Sequence, residues 1–264
     1  MTDLLFDTHC HLDFEVFDAD REQVLQRAYS KGIRHVWVPG TSINTPRLQL
    51  EQCAGVQLHY AVGLHPYFIA EHQPKHLTWV EQQLAANSNL WVGEIGLDRT
   101  CEHWQKQCEF FVEQVQLAVR YQRPLILHHR KSQSDLLGYL NQYLERRPVQ
   151  GIVHAFSGSY EQACSWIDKG FKLGVGGTIT YERARKTRDA ISRVPLTALV
   201  LETDAPDMPL AGRQGQRNEP AYCAEVLRAL QELRAEPAAT VAKQLWQTSC
   251  QLAQLTVGDD NATC

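Results

Sequence analysis

Pro124-Leu-Ile-Leu-His-His-Arg130, Ser134-Asp-Leu-Leu-Gly-Tyr-Leu-Asn-Gln-Tyr-Leu-Glu145 and Gly151-Ile-Val-His154 follow one another in the middle of the chain. The first run is short, apolar and opened by a proline. The second carries leucines and tyrosines at helical spacing. The third is again short and apolar, so the order reads strand, helix, strand. Two strands joined through a helix pair in parallel. Neither strand alternates apolar with polar residues, as expected when both faces of a sheet are covered.

The same unit recurs outward in both directions. Toward the N-terminus, the predicted strands are Leu4–Phe6, Ile33–Val38, Leu58–Leu64 and Leu90–Glu94. The predicted helices there are Ala19–Lys31, a short one near Pro46–Cys53, Pro74–Ala86 and Trp104–Tyr121. Toward the C-terminus, helix Tyr160–Asp168 leads to strand Phe171–Gly174, and the basic stretch Tyr181–Arg193 leads to strand Ala198–Glu202. Helices over about Glu219–Arg234 and Pro237–Leu255 close the chain. Eight strand–helix units in 264 residues give roughly the ≈30 residues that a βαβ unit occupies. The reading is an α/β chain folded as one TIM-type (β/α)8 barrel domain over residues 1–264, with a doubly wound open sheet as the alternative.

Composition narrows the function classes. Lys and Arg total 26 and Asp and Glu total 30, a formal net charge of −4. Such a chain does not coat nucleic acid by global basicity, although a local site remains open. No apolar run approaches the ~18 residues of a helical membrane span. The acidic start Met-Thr-Asp-Leu-Leu-Phe-Asp lacks the positive region of a secretory signal, so a cytoplasmic location is expected. The eight cysteines (Cys10, Cys53, Cys101, Cys108, Cys164, Cys223, Cys250 and Cys264) contain no C-x-x-C pair and read as reduced packing residues.

Polar residues cluster where the predicted strands end: Asp7-Thr-His-Cys-His11, Gly63-Leu-His-Pro66, Gly93-Glu-Ile-Gly-Leu-Asp98, His128-His-Arg130, His154 and Glu202-Thr-Asp204. In a barrel these ends meet on one rim, where barrel enzymes hold their active sites. Each cluster alone has an ordinary structural explanation: a core histidine, a turn aspartate, a strand broken by glycine. Their coincidence on one rim does not. Imidazoles converging with carboxylates suit divalent transition metals. His9 and His11, two apart on extended chain, point the same way and can share one ion. His128 and His154 can hold a second, Glu94 can bridge the two, and Asp204 can complete the first. His128 and His129 must point to opposite faces, so at most one of them serves.

These motifs, in order and across almost the whole chain, resemble the TatD family of metal-dependent hydrolases, and within it the YjjV subgroup. Gly174-Val-Gly-Gly-Thr-Ile-Thr-Tyr181, Lys186-Thr-Arg-Asp189 and Thr203-Asp-Ala-Pro-Asp-Met-Pro-Leu210 carry the subgroup likeness. The resemblance implies a two-ion site per subunit, loaded with zinc, manganese or magnesium. It assigns His9, His11, Glu94 and Asp204 to one ion and Glu94, His128 and His154 to the other. The family's His-x-Arg pattern selects His128 over His129. It further implies hydrolysis of phosphodiesters, DNA above all, in the manner of a deoxyribonuclease or 3′-exonuclease. Two ions would supply a hydroxide nucleophile near neutral pH, with Asp204 as the group that takes its proton and Glu94 and Asp204 as the catalytic carboxylates. His65 and Arg130 are candidates to hold a phosphate. Arg183, Arg185, Lys186, Arg188 and Arg193 stand against only Glu182 and Asp189, after the seventh strand. There Arg183 and Arg185 could track a phosphate backbone. Tyr67, Phe68 and Tyr181 could stack on bases. No membrane and no obligate protein partner is expected. Competing readings are an amidohydrolase or lactonase acting on a small molecule, and a metal-binding interaction protein without catalysis.

Overall fold

The computed structural model describes residues 3–48, 50–144 and 149–255. Nine strands lie in one sheet: β1 (Leu5–Asp7), β2 (Ile33–Val38), β3 (Gln52–Cys53), β4 (Val56–Val62), β5 (Trp91–Asp98), β6 (Leu125–Arg130), β7 (Gly151–Val153), β8 (Phe171–Val175) and β9 (Leu199–Leu201). Apart from β3, they pair in parallel in chain order, from β1 to β9. Between and after them run α1 (Arg21–Ser30), α2 (Pro74–Ala86), α3 (Trp104–Tyr121), α4 (Gln133–Leu144), α5 (Tyr160–Asp168), α6 (Arg185–Arg193), α7 (Cys223–Leu233) and α8 (Ala238–Leu252). The Thr8 N–H donates to Leu201 O at 2.9 Å, the Asp204 N–H donates to His9 O at 2.9 Å, and Cys10 bridges Ala205. Those bonds join the last strand to the first. The result is a nearly closed TIM-type barrel and not an open sheet.

Both faces of the strands are covered, as their unbroken apolar character demands. All eight residues of β5 are buried. Phe6, Trp37, Ala61, Trp91, Ile126, Ile152 and Val200 fill the bore above Leu252 of α8. The larger core lies between the barrel and its helices. Capping fixes individual helices: Ser159 Oγ accepts the Gln162 N–H while Gln162 Oε1 accepts the Ser159 N–H, a reciprocal capping box. No helix among the described residues is long and apolar enough to cross a membrane. No disulfide forms among them. Cys264 and Glu145, the last residue of one expected helix, lie outside the described residues.

Three expectations are corrected. The segment near Pro46–Cys53 is not a helix; Gln52–Cys53 pairs antiparallel with β4 through Ala54 (φ 51°) and Gly55 (φ 80°). Upstream, Thr45 Oγ1 accepts the N–H groups of Thr41 and Ser42. Local bonds of that kind compete with a helix. The helix expected from Tyr181 begins only at Arg185, after a 3-10 turn over Gly177–Thr180. Strand β5 runs to Asp98 and not to Glu94, so Glu94 lies within the strand. Gly93 and Gly96 read as breaks, but a Cβ on Gly96 would stand 2.0 Å from His128 O. The glycine is there to let β5 and β6 approach.

The bore also holds a histidine pair, His35 Nδ1 and His59 Nε2 at 3.0 Å, stacked on Phe6. The facing nitrogens accommodate one hydrogen and one lone pair, so the two rings are not both protonated. Burial lowers His35 to about 4, helped by Arg34, and lowers His59 to about 3. Depressed folded values mean that this contribution to stability is complete above pH 6.5 and is lost as pH falls below it. The loss approaches about 1.4 kcal/mol per pH unit for each ring. The urea midpoint is therefore expected to fall between pH 6.5 and 4. A His35→Gln, His59→Gln variant should show a shallower fall; an unchanged slope would contradict the pair's role.

Candidate metal centre

The rim formed by the C-terminal ends of the strands is built by bonds that hold loops as much as side chains. Asp7, at the end of β1, is completely buried. Its Oδ2 accepts the Thr203 hydroxyl at 2.6 Å and its Oδ1 accepts the Thr203 N–H at 3.0 Å. This clamps the first strand to the segment carrying Asp204. Burial pushes the Asp7 carboxyl up to about 7, against the Thr203 bonds that lower it. Asn218 Nδ2 donates to Thr203 O and Asp207 O, both at 2.8 Å, and so sets the turn around Asp204. From α3, Gln114 bonds both backbone groups of Leu64, next to His65, and Gln107 bonds the N–H and the carbonyl of Asp98.

Within that frame, donor atoms converge. His9 Nε2 stands 3.3 Å from His11 Nε2, 3.1 Å from Glu94 Oε2 and 3.4 Å from Asp204 Oδ1. His11 Nε2 is 3.4 Å from Glu94 Oε2 and 3.7 Å from Asp204 Oδ1. Four donors held about 2.1 Å from one ion in a tetrahedron stand about 3.4 Å apart. These spacings fit that requirement.

The other Glu94 oxygen faces a second group. Oε1 is 3.0 Å from His128 Nδ1 and 2.8 Å from His154 Nε2, which are 3.3 Å from each other. One carboxylate thus turns an oxygen to each group. Glu94 is 1% exposed, and burial alone would raise its carboxyl. The surrounding His154, His65, His9 and His11 outweigh burial and hold it well below the usual carboxylate range. Burial, reinforced by His154, keeps His9 well below its ordinary value. A neutral imidazole offers the lone pair that an ion needs.

Second contacts orient the rings. Asp98 Oδ2 lies 3.4 Å from His128 Nε2, while Nδ1 of the same ring faces Glu94 Oε1 at 3.0 Å. His65 Nδ1 accepts the Tyr67 N–H at 3.0 Å, so its Nε2 carries the hydrogen and donates to Glu94 Oε1 at 3.0 Å. His65 is therefore an N–H donor beside the second group. His129 points away from both groups, toward Phe156.

Glu202, named in the last strand-end cluster but given no role from the sequence, is brought into the site by the structure. Its ligand atom groups with those of His9 and His154, as those of His65, Glu94 and His128 and of His9, His11 and Asp204 also do. Glu202 Oε1 accepts the Ala155 N–H at 2.6 Å. His9 Nδ1, His154 Nδ1 and Glu202 Oε2 are buried without hydrogen-bond partners among the described residues. Burial pushes Glu202 up to about 8, with Asp204 and Asp7 adding to it and His154 opposing. Its carboxylate fills the space above Gly174, where a Cβ would stand 2.0 Å from Glu202 Oε2. Arg130, Arg183 and Arg185 are not part of the cluster; all three are exposed on the rim.

Comparison with known proteins agrees with this geometry. The TatD related DNase family matches residues 6–254. The uncharacterised metal-dependent hydrolase YjjV of Escherichia coli K12 is 44% identical over 244 residues, covering 90% of this chain and 93% of that protein. The crystal structure of the YjjV protein superposes with a TM-score of 0.88 at 41% identity, covering 94% of this chain and 97% of that one. The 3′-5′ ssDNA/RNA exonuclease TatD of Escherichia fergusonii is 27% identical over 250 residues, covering 90% and 94%. With the fold, the convergent histidines and carboxylates and the sequence likeness in accord, the chain belongs to the TatD family and is a metal-dependent hydrolase.

Proposed function

We propose that the chain is a phosphodiesterase that cleaves DNA from a 3′ end at a centre of two divalent ions. The observation that carries this reading is Glu94, with one oxygen toward His9 and His11 and the other toward His128 and His154. The proposed ligands are His9, His11, Glu94 and Asp204 for one ion, and Glu94, His128 and His154 for the other. When bound, such a pair supplies a hydroxide nucleophile near neutral pH and neutralises charge on the phosphoryl oxygens.

The remaining chemistry belongs to the chain. Asp204 keeps 14% of its side chain open to solvent, against 1% for Glu94, so it is the carboxylate placed to take a proton from an attacking water. His65 gives its one hydrogen, on Nε2, to Glu94 Oε1 and so positions the carboxylate that faces both groups, rather than holding a phosphate itself. Arg130, exposed at the last position of β6 on the same side as His128, adds a charged donor. Glu202 and Asp7 hold the floor and the seam beneath these groups. The family description and the named exonuclease relative support DNA as the substrate class. The absence of disulfides among the described cysteines is compatible with a cytoplasmic setting.

The test is a substrate screen on protein stripped of metal and reloaded with zinc, manganese, magnesium or cobalt. Bis(p-nitrophenyl) phosphate and a 3′-labelled oligonucleotide are set against amides and lactones. Diester turnover that depends on the reloaded metal is expected. Turnover confined to amides or lactones would overturn the proposal, as would no turnover with any metal.

A further inference from the structure

The basic segment after β8 contains five cations, and the structure separates them. Arg188 donates to Ile179 O. Arg193 pairs with Asp189 at 3.0 Å and lies over the Tyr160 ring. Both serve the fold. Arg183, Arg185 and Lys186 are exposed and enter no ion pair among the described residues. Glu161 of α5 lies within electrostatic reach of Lys186 without pairing with it.

The backbone leading to these three cations is tied to the loop that carries Asp204. The Asp207 N–H donates to Asp204 O, and Asn218 holds Asp207 O and Met208 O. The Tyr181 hydroxyl donates to Pro209 O at 2.6 Å, and the Ala211 N–H donates to Thr180 Oγ1 at 2.9 Å. The Arg183 guanidinium stands 5.0 Å from the centre of the Tyr181 ring. A continuous bonded ridge therefore runs from Asp204 through residues 207–211 to Tyr181 and Arg183, and on into the first turn of α6. Met208, 41% exposed, forms an apolar step on it.

We infer that this ridge is a phosphate track, on which Arg183, Arg185 and Lys186 hold the backbone of the polynucleotide whose end lies at the metal centre. The inference rests on the phosphodiesterase reading. Charge complementarity selects a polyanion.

The test is binding of a fluorescein-labelled single-stranded 12-mer of thymidylate, read by anisotropy in chelator so that turnover does not consume the probe. Wild type is compared with an Arg183→Gln, Arg185→Gln, Lys186→Gln variant across 50 to 200 mM salt. Losing three phosphate contacts should reduce the slope of log affinity against log salt by about 2, so that wild type loses about 20-fold more affinity than the variant over that range. Circular dichroism checks that the triple variant keeps the wild-type fold. A control pair at the opposite face, Lys31→Gln with Lys169→Gln, should leave the slope in place. An unchanged slope in the triple variant, an equal fall in the control, or no binding by wild type overturns the track. Failure of the phosphodiesterase reading shows separately, as wild type that turns over no diester with any metal.

Discussion

Replacing Glu94 by Gln is expected to lower kcat/KM on a phosphodiester at least about a thousandfold, equivalent to about 4 kcal/mol of transition-state stabilisation. The same change should reduce the divalent metal bound per chain. The two consequences have one cause. Among the described residues, Glu94 is the one whose two ligand atoms face both donor groups, Oε2 at 3.1 Å from His9 Nε2 and Oε1 at 3.0 Å from His128 Nδ1. An amide of the same shape keeps one acceptor and gains an NH2 that donates to a lone pair an ion requires. The carboxylate charge that balances the metal is lost as well. His65 Nε2 can still donate to the amide oxygen, so the fold is expected to survive, and circular dichroism checks it. Metal analysis by mass spectrometry beside the kinetics reads the outcome. Full metal content with activity within tenfold of wild type would contradict the bridging role.

Asp204→Asn should separate chemistry from binding of metal. The oxygen nearest His9, at 3.4 Å, can be kept by an asparagine. The capacity to take a proton cannot. The expected loss in kcat is about a hundredfold to ten-thousandfold, the range for removing a positioned general base. KM should change little, and bound metal should remain closer to wild type than in Glu94→Gln. Burial raises the Asp204 carboxyl, with His154 and His11 opposing and Glu94 adding to the rise. That is the environment of a proton acceptor and not of an inert surface acid. If Asp204→Asn loses metal as completely as Glu94→Gln, Asp204 acts as a ligand alone. If it retains full kcat, the proton passes elsewhere.

The likeness of the local sequence to its structure is uneven, and the unevenness has physical causes. Helices α2, α3 and α5 have the bounds expected from the sequence. Their apolar stripes and caps lie within a single segment. The segment near Pro46 was misread because Thr45 binds backbone groups across a turn, an alternative to helix that periodicity does not report. Strand β5 was cut short at Glu94 because its glycines resemble breaks. Their reason is a contact with β6, more than thirty residues away.

The site divides the same way. His9, His11, Glu94, His128, His154 and Asp204 were legible because each sits where an apolar strand gives way to a polar residue. A barrel brings such ends together whatever the intervening helices contain. Gln107, Gln114 and Asn218 were not legible. A buried glutamine on a helix looks like any polar residue until the backbone that it bonds is placed beside it. Arg183, Arg185 and Lys186 appeared in the sequence as one basic run with Arg188 and Arg193. Only the fold showed which two cations are spent on internal bonds and which three stay unpaired. The sequence by itself determined the order of strands and helices and the chemical types at the strand ends, since those depend on local pattern. The tertiary structure alone decided which oxygen of Glu94 meets which histidine, which ring nitrogen carries a hydrogen and which charges remain available, because each depends on atoms brought together from distant parts of the chain.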